Sequence, residues 1–203
     1  MFVIAVTGGI GSGKTTATRH FRSKGAVVVD LDNIAHRLLE PGSGPYAQIV
    51  ETFGPEVVDE QGHIDRPALA HEAFASKESC TLLNQIMHPA VMREVLPSLV
   101  GLRLLAEPPT VVVIEVPLLV EAPAFAEAAD IVLAVSADDE VRLNRCIAYG
   151  RTEDDALARM ACQASDGERE ALADRTIVNE GSLEDFLAAL DRFWEEVVTP
   201  GAA

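Results

Sequence analysis

Apolar runs cut off by glycine or aspartate organise the start of the chain. Phe2-Val3-Ile4-Ala5-Val6 is a continuous apolar segment that ends at Gly8-Gly9, the pattern of a strand buried on both faces. Lys14 to Lys24 follows a helical period, with Ala17 and Phe21 one turn apart and Gly25 as the stop. Ala26-Val27-Val28-Val29 is a second run rich in β-branched residues, closed by Asp30-Leu31-Asp32. Strand, helix and strand in so short a length predict a parallel pair joined by a right-handed crossover.

Val111–Ile114 and Ile131–Val135 repeat the apolar strand pattern, and Thr176–Val178 is a shorter case. The economical reading is an α/β fold with a five-stranded parallel sheet and helices on both faces. Between the second and third strands lie about 75 residues, far more than an ordinary connection needs. Tyr46–Phe53, Pro67–Phe74 and Glu78–Leu105 read as helices there, punctuated by Gly42, Gly44, Gly54-Pro55 and Gly62. This stretch predicts a helical insert that shapes a second site. Residues 138–172 are again helical and mixed in charge, and Leu183–Val198 is an acidic closing helix.

Charge narrows the function. The 203 residues include 32 acidic and 16 basic side chains, a formal net charge of −16. Duplex nucleic acid and anionic lipid both reward clustered Lys and Arg, so neither is an expected partner. Residues 1–29 reverse the balance, with Lys14, Arg19, Arg22 and Lys24 and no acid, so a small anion can be held there. The apolar start, residues 1–13, is too short to span a bilayer and lacks the pattern of a signal peptide. Cys80, Cys146 and Cys162 show no metal-ligand spacing. Structural thiols in a reducing, cytoplasmic setting are expected. Neither oligomeric state nor a protein partner can be read from the pattern.

Gly8-Gly9-Ile10-Gly11-Ser12-Gly13-Lys14-Thr15 matches the phosphate-binding pattern G-x-x-x-x-G-K-[ST] in full. The glycines let successive backbone N–H groups turn onto phosphate oxygens, where Cβ atoms would obstruct them. The loop also delivers an anion to a helix N-terminus, whose unpaired N–H groups attract negative charge. Gly9, Ile10, Gly11, Ser12, Gly13, Lys14, Thr15 and Thr16 are the expected ATP-binding residues. Lys14 places a cation at the β- and γ-phosphates, and the Thr15 hydroxyl suits Mg²⁺, a hard ion that prefers oxygen. A guanine-reading N-K-x-D tetrad and an L-S-G-G-Q segment are both absent from the sequence. Small size and the helical insert favour an ATP-dependent kinase for a small acceptor. Asp30 and Asp32, expected at the carboxyl end of the second strand, are the candidates to orient or deprotonate the attacking hydroxyl. Capping of the next helix is the plainer role for Asp32.

Further segments carry a family resemblance. They include Val29-Asp30-Leu31-Asp32, Glu40-Pro41-Gly42, Gly62-His63-Ile64-Asp65-Arg66 and Asn84-Gln85-Ile86-Met87-His88-Pro89. Pro117-Leu118-Leu119-Val120-Glu121, Arg159 with Gln163, and Ala173-Asp174 with Asn179 complete the ordered set. The chain resembles the dephospho-CoA kinases along nearly its whole length. The resemblance implies a three-layer kinase fold as one domain, residues 1–203. Its core would comprise 1–40, 107–137 and 173–203, with an acceptor-binding insert at about 41–106 and a helical lid at about 138–172. It implies transfer of the γ-phosphoryl group of ATP, as Mg-ATP, to the ribose 3′-hydroxyl of dephospho-CoA. Asp32 matches the family's base, with Lys14 beside it. Asp30 is a candidate for magnesium-bound water. Arg66, His88 and Leu118 fall on the acceptor side, although Arg66 can instead pair with Asp65, and His88-Pro89 can be a structural turn. Asn179 would lie near the adenine.

Three departures from the family pattern bear on the site, the mildest being Thr15 in place of the commoner Ser, which keeps the hydroxyl. Glu115 stands where the family usually has Asp, so its Mg²⁺ contact would be water-mediated. In the lid, Ala148-Tyr149 occupies the place of an expected arginine, leaving Arg145 and Arg151 as the candidates to reach the phosphates. A kinase for a nucleoside monophosphate or a sugar, and a catalytically silent nucleotide-binding regulator, are the competing readings.

Overall fold

The computed structural model describes residues 1–29, 31–117, 119–120 and 122–198, with Asp32 as backbone only. Five parallel strands form one sheet in the order β2-β3-β1-β4-β5. They are β1 (Phe2–Thr7), β2 (Val27–Val29), β3 (Val111–Glu115), β4 (Ile131–Ser136) and β5 (Arg175–Val178). All five predicted strands are present. The three central ones are the continuous apolar runs, and their side chains are buried on both faces. β2 reads just as apolar but lies at a sheet edge, and Val27 is 40% exposed.

Residues Met1–Val29 and Ser98–Ala203 make one compact unit, and Asp30–Pro97 make another. The second unit starts earlier and ends earlier than the expected insert of about 41–106. Its helix α2 (Leu31–Leu38) packs on α3 (Gly44–Phe53), and Leu39 joins that unit's apolar cluster.

In the first unit, one face of the sheet presents Ile4, Val6, Val113, Leu133 and Val135 to α1 (Lys14–Ser23) and to α10 (Leu183–Phe193). Phe21 of α1 is fully buried, with its ring 5.6 Å from Trp194 and 5.8 Å from Phe193. The residues of the opposite face, Val3, Ala5, Val112, Val132 and Ala134, are buried as well. The predicted closing helix does not run straight to Val198. α10 stops at Phe193, and Trp194–Val198 is a π-helical turn. Ser182 and Asp185 form a capping box at its start, and the hydrogen bonds from Ser182 hold the Asp185 carboxyl below the usual carboxylate range. The lid stretch contains α7 (Asp139–Ala148), α8 (Glu153–Ala161) and α9 (Asp166–Leu172), after a short α6 (Ala124–Glu127). Thr152 caps α8, and a Ser165–Glu168 capping box starts α9.

The second unit has its own core of Ile49, Val57, Ile64, Leu69 and Ala73. Ser43 caps α3, and Asp65 caps α4 (Arg66–Ala73) by accepting from the Ala68 N–H at 3.0 Å. α5 spans Lys77–Arg103 with Pro89 and Pro97 inside it. No helix among the described residues is long and apolar enough to cross a membrane.

Phe21→Ala removes the aromatic side chain shared by α1, α10 and the sheet. It should lower stability by about 3–5 kcal/mol, read as a reduced urea midpoint in equilibrium unfolding.

Candidate active site

Strand register brings the phosphate loop and a carboxylate together. In β1 and β3, Val6 pairs with Glu115, so the end of β3 lies beside the end of β1 where the loop begins. The glycines fit this junction for different reasons. Gly8, Gly11 and Gly13 have φ of 153°, 77° and 111°, values that other L-residues rarely adopt. Gly9 lacks a positive φ, but a Cβ there would fall 1.7 Å from Arg142 Nη1. The loop is thus hemmed in from outside by α7 and β4, since a Cβ at Gly11 or Gly8 would strike the Arg142 or Val135 carbonyl oxygen.

The inner side favours an anion. α1 begins at Lys14 with no side-chain cap on its N-terminus and no acid in its first turn. The opening N–H groups of a helix lack intrahelical acceptors, so this end can bind oxygen ligands. Lys14 is buried, and its Nζ donates to the carbonyls of Gly8 at 2.9 Å and Gly9 at 3.0 Å. The Ile10 N–H donates to Gln163 Oε1 at 2.8 Å, tying the segment after α8 to the loop. Ser12 is buried, and Thr16 follows half-buried in the first turn of α1.

Glu115 reaches the hydroxyls of α1 despite its extra methylene. Thr15 Oγ1 donates to Oε1 at 3.0 Å, and Thr18 Oγ1 to Oε2 at 3.1 Å. Thr15, Thr18 and Glu115 together offer only hard oxygen donors, a chemistry that suits Mg²⁺. Among the described residues there is no group of three or more His, Cys, Asp or Glu side chains that could hold a metal. Asp30 lies outside the described residues.

Asn179, the expected adenine neighbour, follows β5 and reaches the phosphate loop. It is 7% exposed, and its Nδ2 donates to the Ser12 carbonyl at 2.7 Å, bracing the loop from β5. Arg145 gives two long hydrogen bonds of 3.4 Å, to the Gly11 carbonyl and to Asn179 Oδ1. Arg151 is exposed and paired with Asp155 at 2.8 Å, and Arg159 pairs with the same carboxylate at 2.9 Å. Burial pushes the Asp155 carboxyl up, but the hydrogen bonds from Arg151 and Arg159 outweigh it and hold the group below the usual carboxylate range. These pairs therefore contribute above the ordinary carboxylate titration and are lost as pH falls through the lowered value. Arg142, which sequence patterning passed over as one more charged helix residue, is 5% exposed and lies directly against the loop. The only sequence signal for it was the run of small residues it packs on.

Of the acceptor-side expectations, Asp32, Arg66 and His88 fall in the second unit. Asp32 is not at a strand end. It is the second residue of α2, not part of the extended strand end expected for it. Arg66 opens α4 and hydrogen-bonds His36 Nδ1 at 3.2 Å rather than Asp65, whose carboxylate is the helix cap. A guanidinium only donates, so His36 Nδ1 is the acceptor in this contact. Arg66, His36, His63, Asp59 and Glu40 line a cavity of about 240 Å³. The two histidines had no assigned role in the sequence. His88 lies inside α5, which continues through Pro89, so there is no turn at that point. Leu118 lies outside the described residues.

A phosphate loop between the first strand and first helix of a parallel sheet, with lid helices packed on it, defines a P-loop kinase. The chain belongs to the dephospho-CoA kinase family, whose profile matches residues 2–185. It is 42% identical over 211 residues to a dephospho-CoA kinase of Mycolicibacterium paratuberculosis, covering 100% of this chain and 49% of that protein. This chain thus spans about half the length of that relative. A dephospho-CoA kinase of Moorella thermoacetica is 39% identical over 198 residues, with 97% of this chain and 92% of the relative aligned. A crystal structure from Thermus thermophilus superimposes with a TM-score of 0.73 at 34% identity, over 97% of both chains.

Asn179→Ala leaves the Ser12 carbonyl without its buried donor. The variant should lose about 1–3 kcal/mol of stability in denaturant titration and show a raised KM for ATP.

Proposed function

We propose that this chain transfers the γ-phosphoryl group of ATP to the ribose 3′-hydroxyl of dephospho-CoA, giving coenzyme A and ADP. The uncapped, acid-free start of α1 behind the glycine loop carries the reading, because it is built to receive a polyphosphate. Family membership supplies the acceptor.

Residues Gly9 to Thr16 cradle the phosphates in this reading, with the Ile10 N–H held by Gln163 and the Ser12 N–H by the Gly9 carbonyl, and Lys14 turns from the loop carbonyls to the β- and γ-phosphates. Thr15 and Glu115, with Asp30 as a further candidate, hold Mg²⁺, which when bound neutralises charge on the phosphate oxygens. Asp32 accepts or steers the proton of the attacking hydroxyl. An ordinary carboxylate is already ionised at neutral pH, so its contribution is mainly orientation. Arg66 pairs with a phosphate of the acceptor, and His88 and Leu118 belong to the same side. We assign the protein to the cytoplasm, a reducing setting that agrees with three free thiols.

The deciding experiment incubates the protein and Mg-ATP with dephospho-CoA, a nucleoside monophosphate and a sugar, then separates the products by chromatography. Coenzyme A and ADP are expected from dephospho-CoA alone. A phosphorylated product from another acceptor without coenzyme A overturns the acceptor assignment. ATP binding with no product from any acceptor supports a silent regulator instead. Asp32→Asn should reduce kcat at least ~100-fold while calorimetric ATP affinity is kept. Unchanged turnover removes Asp32 from the mechanism.

A further inference from the structure

Arg142 is the fourth residue of α7 and one of the most enclosed charged side chains in the first unit, at 5% exposure. Its Nη2 is paired with Asp139, whose side chain is 80% exposed. Its Nε is 3.9 Å from Asp166, a carboxylate already engaged by Arg169. Among the described residues, Arg142 Nε and Nη1 have no hydrogen-bond partner. Buried donors are paired in the great majority of native structures, and an orphaned one costs about 1–3 kcal/mol, more when charged. Two unfilled positions on one buried guanidinium therefore call for an acceptor that arrives with a ligand.

The location identifies the acceptor's chemistry. Nη1 occupies the space a Gly9 Cβ would take, and the Gly9 carbonyl receives the Lys14 ammonium on the same residue. Two cations thus meet at one glycine of the phosphate loop. Of the other lid arginines, Arg145 meets the same loop through 3.4 Å bonds to the Gly11 carbonyl and Asn179, and Arg151 and Arg159 pair with Asp155. At the place of the expected lid arginine stands Tyr149, 87% exposed.

We infer that Arg142 supplies the lid-side cation for the β- and γ-phosphates of the bound nucleotide, in place of the arginine missing at Ala148-Tyr149. The inference rests on the loop being a nucleotide site. A guanidinium is suited to the task, since its fork can keep Asp139 on one nitrogen while Nε and Nη1 take phosphate oxygens. It also accounts for glycine at position 9, where φ alone does not demand it.

Calorimetric titration with Mg-ATP and with AMP, for the wild type, Arg142→Lys and Arg142→Met, tests the assignment. Arg142→Met should weaken Mg-ATP binding about 10-fold or more, the loss expected for a charged hydrogen bond, and change AMP binding less than about 2-fold. Arg142→Lys should recover part of the Mg-ATP affinity and none of the second hydrogen bond. A folded Arg142→Met protein with an unchanged ratio of Mg-ATP to AMP affinity overturns the proposal and leaves Arg142 as a brace for α7. Wild-type protein that fails to bind Mg-ATP would instead bring down the nucleotide-site reading beneath it. Should Arg142→Met not fold, a crystal structure of the wild type with a non-hydrolysable Mg-ATP analogue decides. Nε or Nη1 within hydrogen-bond distance of a phosphate oxygen supports the inference, and a guanidinium held by protein carboxylates alone overturns it.

Discussion

A loop that must leave its inward N–H groups for a ligand has to be held in place from its outer side. Here four neighbours crowd the loop glycines. The Val135 carbonyl of β4 presses on Gly8, the Arg142 side chain on Gly9, the Arg142 backbone on Gly11 and the Asn179 amide on Gly13. Each contact is closer than a Cβ would permit, so none of these four positions has room for a side chain. The parallel sheet exists in service of this clamp. Register places Val6 against Glu115, while Ser136 and Val178 are paired at the ends of β4 and β5, so that Asn179 follows directly at the loop.

Much of this frame was readable from the sequence because continuous β-branched runs have few alternatives to central parallel strands. The loop was readable because its spacing is dictated by phosphate geometry. What escaped had local patterns with two solutions. Asp30-Leu31-Asp32 follows a strand with no intervening glycine or proline, and periodicity does not reveal that α2 begins at Leu31. Arg142 stands three residues after Asp139, a spacing that normally marks a solvated helix pair. Only the tertiary approach of α7 to Gly9 and Gly11 turns it into a buried group. Asn179 likewise carries no sign in its own neighbourhood that its amide will cross to Ser12. The closing helix changes pitch at Trp194, whose ring packs on Phe21, a long-range contact invisible to a helical period.

The second unit shows the same division between frame and site. Its helix starts follow from Ser43, Asp65 and their neighbouring prolines, standard capping chemistry. The cavity at Arg66 does not follow from any short-range pattern. His36 and His63 come from separate elements, and only the fold of α2, α4 and the Val58–Ile64 bridge brings them to one wall. The lining combines one guanidinium, two imidazoles and two carboxylates with the apolar side chains of Leu39 and Ile64.

The pairing of Lys14 with the Gly8 and Gly9 carbonyls has a thermodynamic consequence. In water an ammonium must shed a hydration shell before it can grip a phosphate. Here that dehydration has already occurred during folding, and the loop's own oxygens stand in for the solvent. In the proposed reaction, nucleotide capture at this position would be an exchange of one set of oxygens for another of higher charge, and the side chain would need only to rotate. Until then the lysine braces the curvature of the loop.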